Sequence, residues 1–148
     1  MQVLQKLNRR LQGEEGGFSL IELLVVILVI GVLSAIALPA FLGQKAKGQD
    51  TSAKSDARNM VTQLEACYAQ KQSFTDCVTP AMLSSSGLPI GSSKGQVDAE
   101  SLHSGNAYAI TAKSQSGNTF IITKEMDGTK ARSCVATVDN GGCNGSTW

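Results

Sequence analysis

Histidine occurs once in the 148 residues, proline three times, and aromatic residues make up only 5% of the chain. A metal centre or a catalytic base relay needs convergent partners, so the lone His103 in a polar stretch reads as a solvated loop residue. The chain has no GxSxG, P-loop, HExxH or dinucleotide fingerprint. No two cysteines stand in a CxxC pair, which removes the usual zinc and thioredoxin-like patterns. No cofactor and no enzymatic activity follow from these residues. Charge is also sparse, at 17% of residues with a formal net of +1. Beyond residue 17 the chain holds ten basic and ten acidic side chains. A balanced chain without a basic cluster offers no electrostatic footprint for nucleic acid, and no specific nucleic-acid partner is expected. Asp98 and Glu100, at strand spacing, read as a solvated face. Tyr68, Phe74, Tyr108 and Phe120 are too scattered for electron transport and read as core.

Hydrophobic residues make up 42% of the chain, a value that argues against disorder, but they are unevenly spread. Much of the apolar content lies between Phe18 and Leu42, and no charge occurs from Leu23 to Gln44. Such a run can span a bilayer, which needs about 20 apolar residues. Lys6, Arg9 and Arg10 precede it and favour a cytoplasmic N-terminus, although Lys45 and Lys47 follow closely. From the residues alone an ordinary membrane anchor competes with a secretory signal cut after Ala37 within Ala35-Ile36-Ala37; a third reading rests on a family resemblance. Glu22 discriminates among them. An acidic residue at the centre of a membrane helix costs about 2.5–3.5 kcal/mol, less near its end, so Glu22 needs a partner or must reach the interface.

The residues Gly16-Gly17-Phe18-Ser19-Leu20-Ile21-Glu22-Leu23 resemble the type IV prepilin signature. The likeness lies in a short basic leader, a glycine before the cut, Phe first in the mature chain and Glu fifth. It covers about the first 45 residues and includes Pro39, where pilins commonly carry a helix-bending proline. The resemblance implies cleavage after Gly17 by a membrane prepilin peptidase and methylation of the Phe18 amine. It implies that Glu22 pairs with the Phe18 amine of a neighbouring subunit and sets axial register, neutralising two charges in an apolar filament core. Gly31 and Pro39 are expected to mark a bend, since Pro removes a backbone donor and crowds the preceding turn.

Past Pro39 a thin stripe continues at three- and four-residue steps: Leu42, Ala46, Gln49, Ala53, Ala57, Met60, Val61, Leu64 and Tyr68. The stripe predicts helix to about Gln70, with its later half packed on a domain and its earlier half facing neighbouring subunits. Residues 71–106 read as a loop region, with a short helix starting at Pro80 and a first strand over Gln96 to Leu102. Three strands follow, over Ala107 to Ser114, Asn118 to Lys124 and Lys130 to Thr137, joined by turns at Gln115-Ser116-Gly117 and Met126-Asp127-Gly128. They make an antiparallel meander with one apolar face on the helix.

Cys67, Cys77, Cys134 and Cys143 lie beyond the apolar run, in a small polar domain behind an export signal, which favours disulfides. Three pairings are open; Cys67–Cys77 and Cys134–Cys143 close the short loops and are favoured. Asp139, Asn140 and Asn144 are a weak calcium candidate for which a plain turn is the default. Asn144-Gly145-Ser146 matches a glycosylation acceptor, a common chance match.

The expected fold is α+β and pilin-like, a long N-terminal helix packed against a small antiparallel meander. The expected division is a leader over 1–17, an apolar assembly helix over 18–42, its amphipathic continuation over 43–70, and a loop region with β domain over 71–148. The expected function is a non-enzymatic subunit self-assembling into a homo-oligomeric type IV pilus-like filament. The partners implied are the prepilin peptidase, an inner-membrane assembly platform and the membrane before assembly. The precursor would sit in the cytoplasmic membrane by a single pass, and the product would be an extracellular pilus. The alternatives are a pseudopilin of a type II secretion system and a soluble secreted binding domain released after Ala37.

Overall fold

A computed structural model describes residues 17–137 and 141–148. Helix α1 runs Leu20–Lys71. Leu, Ile, Val and Ala dominate its first half, and the chain passes Gly31 and Pro39 without a break in the helix. It stops at Gln72, whose φ of 56° places it in the left-handed region and whose N–H closes on Tyr68 O at 2.8 Å. That single left-handed residue is the usual way to end a helix, here without glycine. Lys71 in the last turn complements the helix dipole.

Contacts divide the chain into two compact units, Met1–Ala40 and Phe41–Trp148. In the first unit, none of residues 17–40 is buried. Leu20, Ile21, Ile36 and Phe18 are all at least 70% exposed.

The second unit holds the core. After α1 come α2 (Pro80–Ser84), β1 (Gln96–Leu102), a short 3-10 turn (His103–Gly105), β2 (Ala107–Lys113), β3 (Thr119–Lys124) and β4 (Lys130–Val135). Pro80 opens α2 because its fixed φ suits the first helical position and its missing N–H would have no partner there. The four strands form one antiparallel sheet in the order β1-β2-β3-β4. Thus β1 joins the expected meander as a fourth strand. The β3–β4 turn closes through Glu125 N–H on Thr129 O at 2.9 Å, with Asp127 Oδ1 accepting from the Thr129 N–H and hydroxyl.

Period-two alternation puts Val97, Ala99, Tyr108, Ile110, Ala112, Phe120 and Ile122 on one face. They meet Ala53, Ala57, Met60, Leu64 and Cys67 from one side of α1. Each large apolar side chain taken wholly out of water contributes about 1.5–3 kcal/mol. Tyr68 stacks on Phe74 with centroids 4.3 Å apart, and Phe74 meets Tyr108 edge-on at 4.8 Å. Disulfides join Cys67 to Cys77 and Cys134 to Cys143. The first ties the end of α1 to the following loop, and the second ties β4 to the C-terminal segment. Along the helical stripe Asp50 rather than Gln49 and Cys67 rather than Tyr68 are the buried residues, while Val61 and Tyr68 are half-buried.

Candidate functional site

Gly17, Phe18 and Ser19 are non-helical and exposed. A Cβ on Gly17 would meet nothing within the chain. Ser19 caps α1: Glu22 N–H reaches Ser19 O at 3.0 Å and Ser19 Oγ at 3.3 Å. The S-x-x-E spacing that carries this cap stands in the sequence and was missed there. Glu22 lies in the first helical turn, exposed, where a carboxylate also complements the helix dipole.

Gly31 indents the apolar helix. With Leu24, Ile27, Leu28, Val32 and Ala35 it lines a shallow apolar groove, and a Cβ on Gly31 would touch nothing in the chain. Among the described residues none of 17–40 is buried, so their apolar surface stays open. Among the described residues one helix, Leu20–Lys71, contains a stretch long and apolar enough to cross a membrane.

Two polar clusters in the second unit escaped the sequence reading. Asp50 is 1% exposed; its Oδ1 accepts from Ser116 Oγ at 2.6 Å and its Oδ2 from Asn118 Nδ2 at 2.9 Å. Asn118 Oδ1 in turn accepts from Thr137 N–H at 2.8 Å. Gly141, at φ 48°, packs directly against the Asp50 carboxylate, and any Cβ there would collide with it. Lys54, one helical turn on, donates to Gly141 O at 2.8 Å and Gly142 O at 3.3 Å. So α1, the β2–β3 turn and the C-terminal segment share one knot of hydrogen bonds. The only signal for it was an acidic residue one step off a helical stripe.

The second cluster centres on Glu65. Lys124 Nζ lies 3.0 Å and Lys130 Nζ 2.9 Å from its carboxylate oxygens, and Tyr108 Oη donates to it at 3.1 Å. Burial pushes the Glu65 carboxyl up, but the bonds from Lys130, Lys124 and Tyr108 and the charge of Lys124 outweigh it and hold the group below its ordinary value. Burial, with Glu65 beside it, pushes the Tyr108 phenol well above its ordinary value. Lys124 also lies 5.0 Å from the Phe74 ring centroid and within 6.0 Å of those of Tyr68 and Tyr108.

His103 is exposed in the 3-10 turn, at φ 49°. Asp139 and Asn140 lie outside the described residues. Asn144 is exposed and exchanges backbone bonds with Thr147. Among the described residues no three His, Cys, Asp or Glu side chains gather in a metal-holding group.

A family model described as the prokaryotic N-terminal methylation motif matches residues 14–38. The chain is 35% identical over 60 residues to the type IV major pilin protein PilA of Myxococcus xanthus, covering 40% of this chain and 27% of that one. It is 33% identical over 86 residues to a type IV major fimbrial protein FimA of Dichelobacter nodosus, covering 55% and 54%. It is also 34% identical over 55 residues to the type II secretion system core protein G of Dickeya chrysanthemi, covering 37% and 36%. The matched stretches thus span between about a quarter and just over half of these relatives. No solved structure matches the chain.

Proposed function

We propose that the chain, which carries the N-terminal methylation motif and is similar to type IV major pilins, is the structural subunit of a type IV pilus-like filament on the cell surface. The observation that carries this reading is the apolar helical stretch that follows the exposed Gly17 and Phe18, with no buried residue between 17 and 40. So much apolar surface needs lipid before assembly and other copies of itself afterwards. Prepilin peptidase cuts after Gly17 and the Phe18 amine is methylated. Glu22 then pairs with the Phe18 amine of a neighbour. Both charges would otherwise be stranded in an apolar bundle, which is why the pair sets the register. Gly31 and Pro39 are the places where the helix yields as the subunit leaves the bilayer and repacks. Before export the chain is a single-pass protein of the cytoplasmic membrane, handled by an inner-membrane assembly platform. It performs no chemistry of its own.

The likeness to the type II secretion core protein favours a second reading, a pseudopilin with the same leader and assembly helix. Long fibres sheared from the cell surface would separate the pilus from a short periplasmic assembly.

The N-terminus and intact mass of the mature chain from the native envelope test the proposal. The expected result is a chain starting at methylated Phe18, about four daltons light for two disulfides. A chain starting at Leu38 would overturn it and make the product a secreted soluble domain.

A further inference from the structure

The two edges of the sheet carry opposite charge. On β1, Asp98 and Glu100 are exposed and alternate with buried Val97 and Ala99, so they point away from the helix. They line a shallow recess with Ser92, Ala109, Thr111 and Lys113. Residues two apart on a strand stand about 6.6–6.8 Å apart, so each of the two carboxylates can take its own guanidinium above a floor of small side chains. Lys113 is the positive group at this recess and faces Gln96 in the register, whereas Glu100 faces Ala109. The Glu100 end is therefore the more negative. Asp98 Oδ1 accepts from the Ala99 N–H at 2.9 Å.

On the other edge, β4 exposes Lys130, Ala131, Arg132 and Ser133. Arg132 shares a face with buried Cys134, on the helix side of the sheet. Its guanidinium carbon lies 5.2 Å from the Trp148 ring centroid, and that of Arg58 from α1 lies at the same distance from the same ring. Stacking on an aromatic ring holds a guanidinium in place while leaving its N–H donors open. Among the described residues the ion pairs are Lys124–Glu65 and Lys130–Glu65, so among them neither Arg58 nor Arg132, and neither Asp98 nor Glu100, has a charged partner.

We propose that these two surfaces meet each other between copies: Arg58 and Arg132, held on Trp148, dock into the Asp98–Glu100 recess of a neighbouring subunit. The occupant is a second copy because the chain itself supplies both complementary charges, on opposite edges and facing different directions. Such a contact is heterologous. It does not close in a pair but repeats, which suits an open helical polymer. The inference rests on the filament reading above and adds to it a polar contact between the outer units, separate from the apolar helix bundle.

The test uses the full chain in piliated cells. Reversing one side (Arg58→Glu with Arg132→Glu) or the other (Asp98→Lys with Glu100→Lys) puts like charges face to face, and sheared filament yield is expected to fall about tenfold or more. Joining all four substitutions restores the complement and should return the yield to within about threefold of wild type. Intact disulfides and unchanged protease resistance of membrane-extracted subunits separate loss of contact from loss of fold. In addition, Glu100→Cys combined with Arg132→Cys should produce a ladder of disulfide-linked subunits in filaments. The proposal is overturned by unaltered yield in both reversals, by failure of the combination to rescue, or by absence of the ladder. It is equally overturned if Arg58→Glu with Arg132→Glu leaves yield intact but abolishes filament retention on heparin, which would assign the arginines to an external polyanion. Absence of filaments from wild-type cells would instead remove the filament reading itself, and this contact with it.

Discussion

Between Leu20 and Ala40 helix α1 buries nothing, whereas between Asp50 and Cys67 it buries Asp50, Ala53, Ala57, Met60, Leu64 and Cys67. The first stretch is apolar on every side; the second is a thin stripe of small and medium residues among Lys, Asp, Ser and Arg. A helix apolar all round has no preferred face and must be covered by lipid or by other helices. A helix with one stripe is covered by its own chain. The same regular element thus leaves one end to be covered from outside, by the proposed assembly, and spends the other on folding, and the two should come apart under mutation.

The largest separation is expected from Glu22→Lys. On the pairing proposed above, two like charges then replace a complementary pair in an apolar setting, a cost of about 3–5 kcal/mol, or about two to nearly four orders of magnitude in assembly. Sheared filament should be lost while extracted subunits keep both disulfides and their protease resistance. Loss of the fold as well would break the comparison. The opposite case is Phe120→Ala. Phe120 is fully buried and takes Trp148 edge-on at 5.6 Å, so its truncation should cost about 3–5 kcal/mol of stability in denaturant unfolding. Filament should then fall only because folded subunit does.

The smallest effect concerns acid. The Glu65 carboxyl is held below its ordinary 4.5, so it adds stability above that pH which is lost as the pH falls through the lowered value. Glu65→Gln should flatten this acid limb in thermal melts between pH 6 and pH 3, with a loss near neutrality of about 1 kcal/mol or less. An unchanged acid limb would mean that the Lys124–Glu65–Lys130 cluster contributes no stability to the fold.

Much of this architecture was legible from local pattern. The apolar run and the spacing from Gly17 to Glu22 are contiguous, and so is the alternation of Tyr108, Ile110 and Ala112 that marks β2. The turn residues near Gly117 and Gly128 mark hairpins for the same reason. Asp50 was not legible. Its neighbours along the chain are Gln49 and Thr51, and the groups that satisfy it, Ser116 and Asn118, arrive from a hairpin more than sixty residues away. Nor was the role of Trp148, which folds back to Phe120 and places its indole N–H 3.3 Å from Ile121 O.

By itself the sequence determined what depends on neighbours along the chain: a membrane-length apolar helix, the capped start of that helix, the strands and their turns. Hydrophobic period and backbone capping act over a few residues, so they can be read in one dimension. The tertiary structure alone decided which polar groups share a burial, as at Asp50 and Glu65. Among the described residues it also decided which charges stay without an ion-pair partner, as at Arg58, Arg132, Asp98 and Glu100. A buried charge is tolerable only where distant segments bring it hydrogen bonds, and whether they do is settled when the sheet closes on the helix.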